Sequence, residues 1–180
     1  MIIRNLCIVG LSAVALAACG EKAVEPAPAP VAAPAASGTI ILDSEGLRIS
    51  TAAPALIAFG TPKAEVAAAI SSALGSQPET RPNGDCPNGA TEDLVWGETL
   101  IAVTRDGLFI GWDNEGDGPR TASGVHVGST LAEARGGKDF STPETPFDSV
   151  EISVDGVGGF LNAEGTAVGS MFAGDICMAR

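Results

Sequence analysis

The stretch Leu100-Ile-Ala-Val-Thr-Arg-Asp-Gly-Leu-Phe-Ile-Gly-Trp-Asp113 decides how this chain folds. Two runs rich in β-branched and aromatic residues flank Asp106-Gly107, and Asp-Gly between alternating runs predicts a two-residue hairpin. Tight closure sets Thr104 opposite Phe109, Val103 opposite Ile110, Ala102 opposite Gly111 and Ile101 opposite Trp112. The face of Ile101, Val103, Ile110 and Trp112 is strongly apolar and is expected to pack inward. The other face is mixed, and Phe109 with Thr104 on it is the expected partner surface.

Working outward, Gly60-Thr-Pro-Lys-Ala-Glu65 and Gly128-Ser-Thr-Leu-Ala-Glu133 share the pattern Gly-(Ser/Thr)-x-x-Ala-Glu. Each follows a short apolar run, Leu56–Phe59 and Val125–Val127. The pattern predicts a strand, a turn at glycine, and a helix capped by Thr61 or Ser129. Pro62 suits a first helical position, and Glu65 and Glu133 suit the positive end of the helix dipole. Val66, Ile70, Ala73 and Leu74 mark one stripe of the first helix, which Gly75 ends. Gly136 and Gly137 limit the second to about two turns.

A second hairpin is expected from Phe160–Ala163 and Thr166–Phe172 around Glu164-Gly165. One more strand precedes each hairpin, Asp93–Gly97 and Ser149–Val154, while Thr39–Leu42 and Leu47–Ile49 are expected at an edge. The fold class so read is α+β: an antiparallel sheet of tandem helix-plus-meander repeats, with two short helices on one face. Repeat one spans about 46–118 and repeat two about 119–180.

This pattern, carried by Gly60, Gly128 and the hairpins, resembles the β-lactamase-inhibitor-protein-like group over residues 40–180. It is also similar to small lipoproteins of the outer-membrane assembly machinery and to many bacterial lipoproteins. The chain departs from the group in its stunted second helix and its one cysteine pair, so no inhibitory or docking residue carries over. The resemblance implies a fold that binds proteins through a sheet face or loops.

The N-terminal stretch has the parts of an export signal: Arg4, an apolar run from Leu6 to Leu16, then Leu16-Ala-Ala-Cys19. The apolar run falls well short of the roughly twenty residues that a spanning helix needs. It resembles bacterial lipoprotein signals, which implies a signal peptide over 1–18 and lipidation of Cys19. Gly20, by the same resemblance, implies an outer-membrane address facing the periplasm. Residues 19–38 form a Pro/Ala-rich linker, and polyproline II at about 3.1 Å per residue gives a tether of roughly 60 Å. Residues 39–180 are one domain's worth of chain.

The net charge is -12, which argues against nucleic acid as a partner. Of four cysteines, Cys7 leaves with the signal and Cys19 carries lipid, so Cys86 and Cys177 remain as a disulfide pair in an oxidising compartment. A free thiol or a metal ligand is the rival reading, but neither residue has another Cys or a His at ligand spacing.

No catalytic motif is present: His126 is the only histidine, and there is no Gly-x-Ser-x-Gly elbow, His-Glu-x-x-His or phosphate loop. The run Asp113-Asn-Glu-Gly-Asp-Gly118 starts like a calcium loop, which makes Asp113, Glu115 and Asp117 weak metal candidates. Pro119 and the glycine at Gly124 break that pattern. The chain therefore reads as a non-enzymatic lipoprotein, held to the membrane by its lipid anchor. It acts as a tethered protein-interaction or structural module with an envelope protein as partner, and no cofactor is implied. The second reading is a periplasmic lipoprotein that binds a small ligand or calcium.

Overall fold

The described chain runs β1 (Thr39–Asp43), β2 (Gly46–Ser50), β3 (Ala55–Ala58), α1 (Lys63–Leu74), β4 (Glu79–Asn83), β5 (Thr91–Trp96), β6 (Leu100–Arg105), β7 (Leu108–Asn114), β8 (Arg120–Thr121), α2 (Leu131–Ala134), β9 (Glu151–Val154), β10 (Val157–Leu161) and β11 (Val168–Gly174). These elements come from a computed structural model that describes residues 38–50, 55–97, 99–146 and 148–177. The signal segment, Cys19 and the linker up to residue 37 lie outside the described residues.

The strands form two sheets. One has the order β3-β2-β1-β8, and the other β4-β5-β6-β7-β11-β10-β9. All pairings in the larger sheet are antiparallel, whereas β8 joins β1 in parallel. This overturns the expected α+β fold of helix-plus-meander repeats. The protein is mainly β, with α1 of 12 residues and α2 of only 4. The N-terminal strands do not edge the main sheet but form a sheet of their own, which β8 completes from later in the chain. α2 lasts a single turn, and just beyond it Gly137 lies against Val154, where a Cβ would clash.

The hairpin around Asp106-Gly107 forms, with φ of 51° and 76° as a two-residue turn of its hand requires. Thr104 faces Phe109 as expected, but the register then shifts, so that Val103 faces Gly111, Ala102 faces Trp112 and Ile101 faces Asp113. Ile110 is the extra residue of a bulge. Its carbonyl accepts the Asp175 amide at 2.8 Å, and the same crossing leaves no room for a side chain at Gly111, whose Cβ would lie 2.7 Å from Asp175 O.

The bulge brings Phe109 and Trp112 to one face although they are three apart, and both are 0 % exposed. The inner face is thus Leu100, Ala102, Thr104, Phe109, Trp112 and Asn114. The expected inner face is the outer one from Val103 down to Ile101. Phe109 and Thr104 are consequently not a partner surface: Phe109 packs on Phe59 with ring centroids 5.1 Å apart, and Thr104 Oγ1 donates to Glu92 O at 2.7 Å.

The core draws on both sheets and α1. Trp112 Nε1 donates to Asp43 O at 3.0 Å, joining the large sheet to the β1–β2 turn. Trp96 Nε1 donates to Ser71 Oγ on α1 at 3.3 Å. Val66, Ile70 and Ala73 bury the expected stripe of α1, and Gly75 caps it with φ of 71°. Neither expected N-cap forms. Pro62 occupies the cap of α1 without a side-chain bond, and Lys63 N instead donates to Gly107 O in the hairpin turn at 2.8 Å. Thr130, not Ser129, caps α2, in a reciprocal box with Glu133.

Phe109→Ala is expected to cost about 3–5 kcal/mol in denaturant-unfolding stability. Leu108→Ala, at a side chain 45% exposed, should stay within about 0.5 kcal/mol of the parent. A near-neutral Phe109→Ala would contradict the bulged register.

Candidate functional site

With the inner face filled, the outer face of the large sheet is left as the candidate site. Strand register places Val95, Ile101, Asp113, Phe172, Gly158 and Ser153 in one row across it. Neighbouring positions on the same face are Asp93, Val103, Phe160 and Glu151. Phe160 and Phe172 pair with ring centroids 5.3 Å apart. Gly158 permits this, because a Cβ there would fall 2.6 Å from Phe172 Cε2. Val95, Val103 and Phe172 are buried yet stand outside the central core cluster. Ile101, Phe160 and Asp113 are half-buried.

One end of this face is strapped. The disulfide Cys86–Cys177 spans a sequence separation of 91 with Cα atoms 5.1 Å apart. Beside it, Arg105 Nη1 pairs with Asp175 Oδ2 at 2.6 Å, and Asn88 Nδ2 donates to Asp175 Oδ1 at 3.4 Å. The Arg105 hydrogen bond holds the Asp175 carboxyl below its usual range despite some burial. Residues 175–177 therefore lie fixed against the ends of β6 and β7.

Asp113 is the unusual residue of the row. Burial pushes its carboxyl up to about 6, and Glu115 pushes the same way, against a smaller downward pull from the Asn114 amide. Its strand neighbours are Ile101 and Phe172, neither of which offers a countercharge. The face's cations are paired with other acids, Arg81 with Glu79 at 2.8 Å and Arg105 with Asp175. The face mixes apolar and aromatic side chains with the acids Glu79, Asp93, Asp113 and Glu151, and both of its arginines are already paired.

The other sequence-predicted residues disperse. Glu115 and Asp117 lie exposed in the loop after β7, and among the described residues no three His, Cys, Asp or Glu side chains are placed to hold a metal. The calcium-loop reading of Asp113, Glu115 and Asp117 thus loses its ligand cluster. His126 Nδ1 lies 3.0 Å from Ser129 Oγ and 3.1 Å from Gly124 O. Ser129 is 3% exposed and accepts the His126 amide, so the pair braces a turn and presents no nucleophile. Among the described residues no helix is long and apolar enough to cross a membrane.

Sequence reasoning missed the row around Asp113 because it set the wrong face inward. Gly111 inside a strand run was the available warning, since such glycines mark bulges or close backbone approach.

No family model and no curated protein matches this chain. Among solved structures it is similar to an uncharacterized protein, yfeY, from Escherichia coli. The TM-score is 0.44 at 15% identity, covering 78% of this chain and 97% of that one.

Asp113 carries a pH signature. A carboxyl raised in the folded state adds stability that is full below its unfolded value and is lost as pH rises through about 6. Asp113→Asn removes that loss and should exceed the parent in stability at pH 7.5 by roughly 2–3 kcal/mol. The gap should close as pH falls toward the ordinary value of 3.8. Thermal unfolding of both proteins across that range checks it, and a gap independent of pH would refute it.

Proposed function

We propose that this protein is a lipid-anchored envelope component whose β domain works as a tethered protein-interaction module. It engages its partner through the outer face of the seven-stranded sheet. The observation that carries this reading is the half-buried Asp113, set between Ile101 and Phe172 in the outer row with no cation beside it among the described residues. A face of that make-up suits a protein segment presenting Lys or Arg among apolar side chains.

The rest of the molecule is consistent with that role. The Leu16-Ala-Ala-Cys19 box supplies an anchor, the Pro/Ala-rich linker a spacer, and the Cys86–Cys177 disulfide fits an oxidising compartment. The half-buried Asp113 weakens the fold at neutral pH, and side chains kept at a cost to stability concentrate where function needs them.

Photo-crosslinking in intact envelopes tests the proposal. A photoreactive residue at Ser170, on the outer face, should give a discrete crosslinked species. The species should vanish in a Cys19→Ala background and weaken in Asp113→Lys. No species above the Cys19→Ala background would end the interaction reading, and equal yield from a probe at Ser50 on the small sheet would end the choice of face.

A further inference from the structure

The dipeptide Asn-Gly occurs twice around the β4–β5 loop, as Asn83-Gly84 and Asn88-Gly89. A glycine after asparagine leaves the peptide nitrogen uncrowded and the backbone free to turn, so that nitrogen can reach the side-chain carbonyl carbon and displace the amide. The structure treats the two pairs differently. At Asn88 the leaving amide and the attacking nitrogen are both held. The side-chain amide donates to Asp175 Oδ1 at 3.4 Å, and Gly89 N donates to Cys86 O at 3.1 Å, in a loop that the Cys86–Cys177 disulfide fixes.

At Asn83 neither is held. Asp85 N donates to Asn83 Oδ1 at 3.3 Å, which curls the side chain over the Gly84 peptide in the manner of an Asx turn. Gly84 N enters none of the loop hydrogen bonds of the described residues, and a Cβ on Gly84 would meet nothing within 4 Å. The Asp85 N–H is also placed to stabilise the negative charge that develops on Oδ1 when the Asn83 carbonyl is attacked. Gly84 and Asp85 are exposed and Asn83 is half-buried, so water reaches the group.

We propose that Asn83 is a site of spontaneous deamidation, converted to a mixture of aspartate and isoaspartate while Asn88 persists. Gly84 N gives up its proton to hydroxide and bonds to Asn83 Cγ; the Cγ–Nδ2 bond breaks, and Nδ2 takes up a proton from water and leaves as ammonia. Water then opens the succinimide at either of its carbonyls, so the net change is one water consumed and one ammonia released, with no change of oxidation state. Strand register sets Asn83 opposite Thr91, in line with Arg81–Asp93 and Glu79–Val95 on the outer face. Conversion therefore adds a carboxylate at the rim of that face, and isoaspartate also lengthens the backbone at the end of β4. The modification needs no partner there and stands if none is found.

Peptide mapping by mass spectrometry reads both positions in the folded full chain after incubation at neutral and mildly alkaline pH. Asn83 should gain the mass of the Asn-to-Asp exchange, split between two isomers, at a rate that climbs with hydroxide concentration, and Asn88 should lag several-fold behind. In the reduced, denatured chain the two should convert at similar rates, because only the fold distinguishes them. Gly84→Ala is accommodated, since the Cβ meets open space and the backbone is outside the left-handed region, and it should slow conversion of Asn83 several-fold by crowding the attacking nitrogen. The proposal is overturned if Asn83 stays intact in the folded protein while the denatured chain converts, if Asn88 converts as fast as Asn83 in the folded protein, or if the same preference for Asn83 persists after denaturation. Unchanged conversion in Gly84→Ala would overturn it as well, by removing the Gly84 nitrogen from the reaction.

Discussion

One extra residue in β7 sets the inside and outside of the main sheet. Because Ile110 is bulged, Phe109 and Trp112 point the same way, and burying two large aromatics contributes roughly 2–3 kcal/mol each. Trp112 then reaches Asp43 O across the core, which fixes the small sheet on the large one. The same bulge turns Ile101, Val103 and Asp113 outward. The hydrophobic centre and the candidate binding face are two results of a single local insertion.

Much of the local structure was legible in the residues. Asp106-Gly107 announced its hairpin, the Val66–Ile70–Ala73 stripe its helix, and Gly75 its end, because each depends on a few neighbouring positions. Cys86 and Cys177 could be paired by elimination. The bulge left only Gly111 as a sign in the sequence, since the Asp175 backbone that crosses there is distant. The hairpin at Asp155-Gly156, with φ of 54° and 78°, was hidden because Val157-Gly158-Gly159 shows no alternation. The parallel pairing of β8 with β1 links residues far apart in sequence, and no periodicity records it. The candidate face was misread for the same reason as the register: a slip of one residue exchanges the two faces of a strand.

Two aspartates show how differently this fold treats its acids. Asp155 is partly buried, which pushes its carboxyl up, yet donors from Ser123, Thr121 and the Ser123 and Lys138 amides hold it below the usual range. It ties two loops to the β9–β10 turn and is fully used. Asp113 is more deeply buried and has only the Asn114 amide as donor, and its carboxyl is raised. In a chain of net charge -12, an acid lacking compensation is not rare on the surface. One set among apolar side chains in mid-sheet is a different matter, because there it must find its counterpart outside the molecule or accept a proton.

The place of β11 has a further consequence. It is the last of the described strands in sequence, yet it lies inside the sheet and seals β7 on the side away from β6. During synthesis β7 must wait for it with an open edge that carries Phe109, Ile110 and Trp112, a sequence suited to pairing with the wrong neighbour. The strand that ends up most protected is thus the most vulnerable while the chain folds, until the final strand arrives.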